Sequence, residues 1–152
     1  MQNTYIPLQK IVDNMIRTLG GYWLPLSGLA RVLEELGELG EYIVQKDFSD
    51  KFATELSDVQ VITLCIANQY CARVDISHYS LKQKLSLQEL YIKLVADCGE
   101  LARIINSYEG NKKLKLTEHP TTIEKQTSLI TFDISLIAKN MNLDIVKLVT
   151  QT

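Results

Sequence analysis

Apolar residues recur along this chain at three- and four-residue intervals, and no stretch alternates apolar and polar positions as a half-buried strand would. At 100° per residue, Leu29, Val32, Leu33, Leu36, Gly40 and Ile43 fall on one stripe, while Val59 to Ala67 is apolar on nearly every side. The periodicity predicts helices at about 5–19, 26–46, 50–73, 86–108 and 121–141, with a short one near 143–151. Gly20-Gly21 ends the first, and Pro25 suits the start of the second. Ser49 or Asp50 can cap the third, and Ser86 with Glu89 makes a capping box for the fourth. Gly110 opens a polar loop that runs to Pro120. The fold class expected is all-α.

Two acidic pairs interrupt the apolar pattern: Glu35-x-x-Glu38 in the second helix and Glu55-x-x-Asp58 in the third. Residues three apart on a helix are neighbours, so each pair can present two carboxylates to one point. Glu55 and Asp58 share a face with Val59, Ile62 and Ile66, where a carboxylate is costly unless it is paired or bound to metal. Glu35 lies at the edge of its apolar stripe, and Glu38 further onto the polar side. Ordinary acids on amphipathic helices would account for the first pair equally well. It is the core-facing second pair that favours an all-oxygen site, the kind Mg²⁺ or Mn²⁺ takes.

The composition narrows the function classes. With 152 residues, 46% hydrophobic and 22% charged, the chain can build one core or two small repeats sharing one. A net charge of −2 and no basic stripe make duplex nucleic acid a poor partner. The first residues lack the pattern of a signal peptide, and no apolar run approaches a membrane span. Cys65, Cys71 and Cys98 are odd in number without metal-ligand spacing, which fits a reducing, cytoplasmic setting. His78 and His119 join no constellation of other ligands.

An internal repeat is visible. Ala96-Asp-Cys-Gly-Glu-Leu-Ala102 echoes Glu34-Glu-Leu-Gly-Glu-Leu-Gly40, and Ile137-Ala138 with Leu143-Asp-Ile145 echoes Ile66-Ala67 with Val74-Asp-Ile76. In this register the first acidic pair survives as Asp97 and Glu100, but Gln126 stands opposite Glu55 and Leu129 opposite Asp58. Residues 1–84 thus form a unit with an intact acidic motif, and residues 85–152 a degenerate second unit of the same compact domain. Such a unit should bind Mg²⁺ poorly, and Asp133 is the one nearby acid that can compensate. The expected architecture is an intrachain pseudo-dimer, with homodimerisation left open.

Glu35-Leu-Gly-Glu38 and Glu55-Leu-Ser-Asp58, with sixteen residues between them, follow an E-x-x-E, spacer, E-x-x-D pattern. Together with Gly21-Tyr-Trp-Leu-Pro-Leu26, Leu29-Ala-Arg-Val32 and Ile66-Ala-Asn-Gln69, they resemble the MazG-like family of all-α nucleotide pyrophosphohydrolases. That superfamily also includes the dimeric dUTPases and the phosphoribosyl-ATP pyrophosphatases. The resemblance covers about residues 5–84 and, more loosely, about 86–146. It implies a helical bundle that cleaves a nucleoside triphosphate into the monophosphate and pyrophosphate. It also implies Mg²⁺, replaceable by Mn²⁺, held by Glu35, Glu38, Glu55 and Asp58, with Glu34 or Glu38 as general base. Tyr22 and Trp23 lie where related enzymes stack the base, and Lys84 where they often carry a phosphate-contacting lysine. Arg31 can reach a phosphate or pair with Glu35 one turn on. A rival reading keeps the scaffold without catalysis, as a helical module that binds nucleotide or a protein partner.

Overall fold

Proline at the first turn and left-handed residues at the ends delimit several of the helices. In the computed structural model, which describes residues 5–152, these are α1 (Ile6–Thr18), α2 (Pro25–Gln45), α3 (Asp50–Gln69), α4 (Leu87–Glu109), α5 (Ile123–Asn140) and α6 (Ile145–Gln151). The described residues contain no strand, so the all-α expectation holds. Residues 1–4, on which part of the signal-peptide reading rests, lie outside the described residues. No helix among the described residues is long and apolar enough to cross a membrane.

Local chemistry accounts for most boundaries. Pro25 opens α2, where its missing N–H costs nothing. Ser86 accepts from Glu89 N while the Glu89 carboxylate accepts from Ser86 N, the reciprocal box expected for α4. Ser49 takes the capping position of α3 with no side-chain bond; instead its own N–H donates to Asp47 Oδ1 at 3.1 Å. The third helix stops four residues short of its sequence expectation. Cys71 adopts the left-handed region at φ 54°, and Ala72 N turns back to Ala67 O at 2.8 Å. A stop of this kind usually carries glycine, so the sequence offered no warning.

The helices pack as two pairs, α2 with α3 and α4 with α5, joined by contacts between α3 and α5 and between α2 and α4. Leu39, Leu56, Val59, Leu94, Leu101 and Ile130 are fully buried among them. Gln60 Nε2 donates to Thr131 Oγ1 at 3.0 Å where α3 meets α5. Tyr91 OH donates to Leu36 O at 2.7 Å where α4 meets α2. Its hydroxyl fills the space that a Cβ on Gly40 would need, so a larger residue there would displace the Tyr91 ring and break its bond to Leu36 O.

The stripe read from α2 is therefore only partly core. Of its members Val32, Leu36 and Ile43 are buried, whereas Leu33 is 72% exposed, and Leu39, outside the stripe, is fully buried. The helices packed on α2 cover one side of it, and Leu33 lies beyond that side.

On the other flank, α1 packs against α3 and α6. Gln9 ties it to the end of α3, donating to Asn68 Oδ1 and Ala72 O at 2.9 Å each and accepting from Val74 N at 3.0 Å. Gly20 and Gly21 follow with φ of 111° and 97°, values that disfavour any side chain. That turn brings Tyr22 back over α1 and α3, where its hydroxyl donates to Asp13 at 2.5 Å and accepts from Asn68 at 3.2 Å.

Candidate metal and nucleotide site

The face-sharing read for Glu55 and Asp58 places both at the α2–α3 contact, half-buried, opposite Glu35. One carboxylate oxygen from each of these three residues lies within 4.8 Å of the other two. Glu35 has no exposed surface. Arg31 bridges it to Glu34, pairing with Glu35 through Nη2 and with Glu34 through Nη1 at 2.6 Å. No N–H or hydroxyl among the described residues donates to Glu35 Oε2, a buried carboxylate oxygen.

The electrostatics of the cluster express crowding. Burial, then hydrogen bonds and charge from Glu35 and Glu38, push the Glu55 carboxyl up to about 8. Burial also raises Glu35, partly offset by the bond from Glu55 and the Arg31 charge. Asp58 is raised by burial, with Arg31 opposing. Three carboxylates that each resist ionisation, one with an undonated buried oxygen, fit a divalent cation. A cation supplies the missing positive charge, and hard oxygen donors suit Mg²⁺ or Mn²⁺.

The cluster opens into a cavity of about 330 Å³. Arg31, Glu35 and Asp58 line it together with Ile62 and Ile66 on one side and Met15 and Ile16 on the other. Tyr22, Trp23, Cys65 and Gln69 also line it. Trp23 is 64% exposed, and its carbonyl accepts from Gln69 Nε2 at 2.6 Å, which fixes the segment against α3. Burial pushes the Cys65 thiol up to about 12, so it contributes an uncharged, weakly polar surface. Volume and lining suit a small ligand with an apolar body.

Sequence reading and geometry agree unevenly. Glu35, Glu55 and Asp58 converge, and Arg31, Tyr22 and Trp23 line the adjoining cavity. Glu38 is exposed on α2 and touches the cluster through Glu55. Glu34 is exposed and held by Arg31. Lys84 is exposed in the segment between α3 and α4 and does not line the cavity. Cys65 and Thr152 do line it, without any motif that singles them out, and so does Gln69, which ends the Ile66-Ala-Asn-Gln69 stretch but carries no expected role. Thr152 arrives from α6, its hydroxyl 3.4 Å from that of Ser57.

Helix α4 contains a residue that the sequence reading passed over. Lys93 precedes Asp97 by the interval that separates Arg31 from Glu35. Its ammonium sits between Asp97 Oδ2 at 2.8 Å and Asp133 Oδ1 at 2.6 Å. Gln126 Nε2 adds donations to Asp97 O at 2.9 Å and to Asp97 Oδ1 at 3.2 Å. Asp133 is fully buried, and its carboxyl is pushed up to about 7 by burial and by its bond to Asp97. Of the three converging acids on α2 and α3, Arg31 pairs with Glu35, whereas Lys93 on α4 pairs with both Asp97 and Asp133.

Comparison with known protein families, with characterised proteins and with solved structures finds no match to this chain.

Proposed function

We propose that this protein is a divalent-metal-dependent nucleoside triphosphate pyrophosphohydrolase, built on a MazG-like helical bundle, that releases pyrophosphate and the monophosphate. The observation that carries this reading is the convergence of Glu35, Glu55 and Asp58 beside a cavity that Glu35 and Asp58 line together with the largely exposed Trp23. Glu35, Glu55 and Asp58, with Glu38 at the rim, would hold Mg²⁺ or Mn²⁺. When bound, the cation neutralises phosphate charge and makes a water easier to deprotonate.

The chain's own groups do the rest. Arg31 presents a guanidinium beside the carboxylates, placed to meet a phosphate oxygen once it releases Glu34. Glu38, the exposed acid next to Glu55, is the carboxylate with freedom to accept the proton of an attacking water, and Glu34 is the second candidate. Trp23 and Tyr22 offer aromatic surface to the base, and Ile62 and Ile66 exclude water from the cavity wall. In this reading α4 and α5 replace the second subunit of a single-copy relative, and the ammonium of Lys93 relieves that half of binding metal.

The test is pyrophosphate release from a panel of ribo- and deoxyribonucleoside triphosphates. Turnover should require Mg²⁺ or Mn²⁺ and should be poorly supported by Ca²⁺, whose geometry is looser. Saturable nucleotide binding with no release under either metal would establish the non-catalytic alternative instead.

A further inference from the structure

A second concavity, of about 530 Å³, lies between α1 and the turn that ends α3, on a different face of α1 from Met15 and Ile16. Lys10, Asn14 and Arg17 line it from one stripe of α1, and Arg73 lines it from the segment after α3. Asp13 is its one acid, and both carboxylate oxygens are engaged. Oδ2 accepts from Arg17 Nε at 2.8 Å, and Oδ1 accepts from the Tyr22 hydroxyl at 2.5 Å. Among the described residues, no ion pair or hydrogen bond holds the side chains of Lys10, Asn14 or Arg73, and the terminal Nη groups of Arg17 meet no acceptor. Asp75 attracts Arg73 without pairing with it. Three cations thus share a groove whose single acid is already taken.

We propose that this groove binds a small phosphate-class anion, separately from the acidic cluster and independently of the activity proposed above. Like charges gathered in one concavity repel, and an anion that enters replaces the repulsion with charge-assisted hydrogen bonds. Arg17 and Arg73 offer planar N–H forks that match phosphate oxygens, and Asn14 adds a neutral donor. The last carbonyls of α3 would oppose an anion if they were bare. Instead Ala67 O accepts from Ala72 N at 2.8 Å, Asn68 O from Cys71 N at 3.1 Å, and Ala72 O from Gln9 Nε2 at 2.9 Å.

The arrangement favours a ligand charged at more than one point. The rise of α1 separates Lys10 from Arg17 by about 10 Å along the helix axis, so a diphosphate serves both ends better than a single phosphate. A groove with three cations, on a chain of net charge −2, suits a free ion rather than the backbone of a nucleic acid.

Calorimetric titration of the full chain with pyrophosphate in EDTA tests this. Without a divalent cation, the cluster of Glu35, Glu55 and Asp58 repels the anion and does not compete for it. Binding should saturate below about 1 mM at low salt, be weaker for inorganic phosphate, and fall as ionic strength rises. Lys10→Glu and Arg73→Glu, at exposed positions, should each weaken it by at least about 10-fold with the circular dichroism spectrum unchanged. Lys113→Glu makes the same charge change on the loop between α4 and α5 and should bind as the wild type does. Cys71 gives a second readout, because its exposed thiol lines the groove while Cys98 is buried. Bound pyrophosphate should slow iodoacetamide modification of Cys71 several-fold, followed by peptide mass spectrometry. A wild-type chain that binds no pyrophosphate overturns the proposal. So does binding that Lys113→Glu weakens as much as Arg73→Glu, or binding that leaves the rate at Cys71 unchanged.

Discussion

One carboxylate oxygen of Glu35 and one of Glu55, on facing helices, lie within 4.8 Å of each other, and burial with the neighbouring acids pushes the Glu55 carboxyl up to about 8. In the absence of a cation the folded protein therefore retains a proton that an unfolded Glu, with an ordinary value near 4.5, would already have released. The consequences of that retained proton can be measured.

With Glu55 pushed up to about 8, the folded chain binds more protons than the unfolded one between about pH 4.5 and 8. Its contribution to stability is complete below pH 4.5 and is lost as pH rises through 8. Differential scanning calorimetry in EDTA should show the thermal midpoint falling by several degrees from pH 5.5 to pH 8, at about 2–4 °C per kcal/mol. Mn²⁺ should reverse the trend, because cation affinity rises as the carboxyls ionise. A midpoint unaffected by Mn²⁺ at pH 8 would remove the cluster from consideration as a metal centre.

Substituting the acids should separate stability from turnover. Glu35→Gln or Asp58→Asn relieves repulsion between buried carboxyls, so the metal-free protein should melt at or above the wild-type midpoint. Each should lose Mn²⁺-induced stabilisation and, with Glu38→Gln, at least about 100-fold of pyrophosphate release. Wild-type turnover in Asp58→Asn would sink the ligand assignment.

The second cluster should behave in the opposite sense. Lys93→Met removes the cation from a fully buried Asp133 and should lower stability, by less than the roughly 3–5 kcal/mol of an orphaned buried charge because the Asp133 carboxyl, already pushed up to about 7, can take up a proton. Asp133→Asn introduced into Lys93→Met should recover much of that loss. Asp97→Asn and Glu100→Gln should change turnover far less than the matched changes at Glu35 and Glu38, as steady-state kinetics would show. Equal Mn²⁺ occupancy at both clusters, measured by paramagnetic relaxation, would contradict this asymmetry.

Trp23→Ala tests the aromatic mouth. The ring touches the base rather than the reacting phosphates in the proposed complex, so KM should rise several-fold with little change in kcat. A drop in kcat at constant KM would place Trp23 elsewhere in the mechanism.

A chain ending near Lys84 should self-associate or lose cooperative unfolding. It would bare the side of α3 that meets α5 at Gln60 and the side of α2 that meets α4 at Leu36. Sedimentation together with a thermal scan would reveal a well-folded monomer if the second unit were dispensable.

The helices were legible in the sequence because their causes are local. Apolar spacing at the helical period, Pro25 at a first turn and the Ser86–Glu89 box act within a few residues, and no neighbour is needed to read them. The three acids that converge were legible for the same reason, since an x-x spacing puts carboxylates on one face wherever the helix lies.

Tertiary structure decided which faces are covered. Leu33 shares the period of Val32 and Leu36, yet it stands in solvent because α3 and α4 pack to one side of α2. Glu35 and Glu38 belong to one motif, yet one is sealed beneath α3 and the other is exposed. No local pattern marks Lys93, and it is α5 that brings Asp133 within 2.6 Å of its ammonium. The period of a helix records which residues share a side. What meets that side is set by chain segments tens of residues away, and their approach determines burial, pairing and charge.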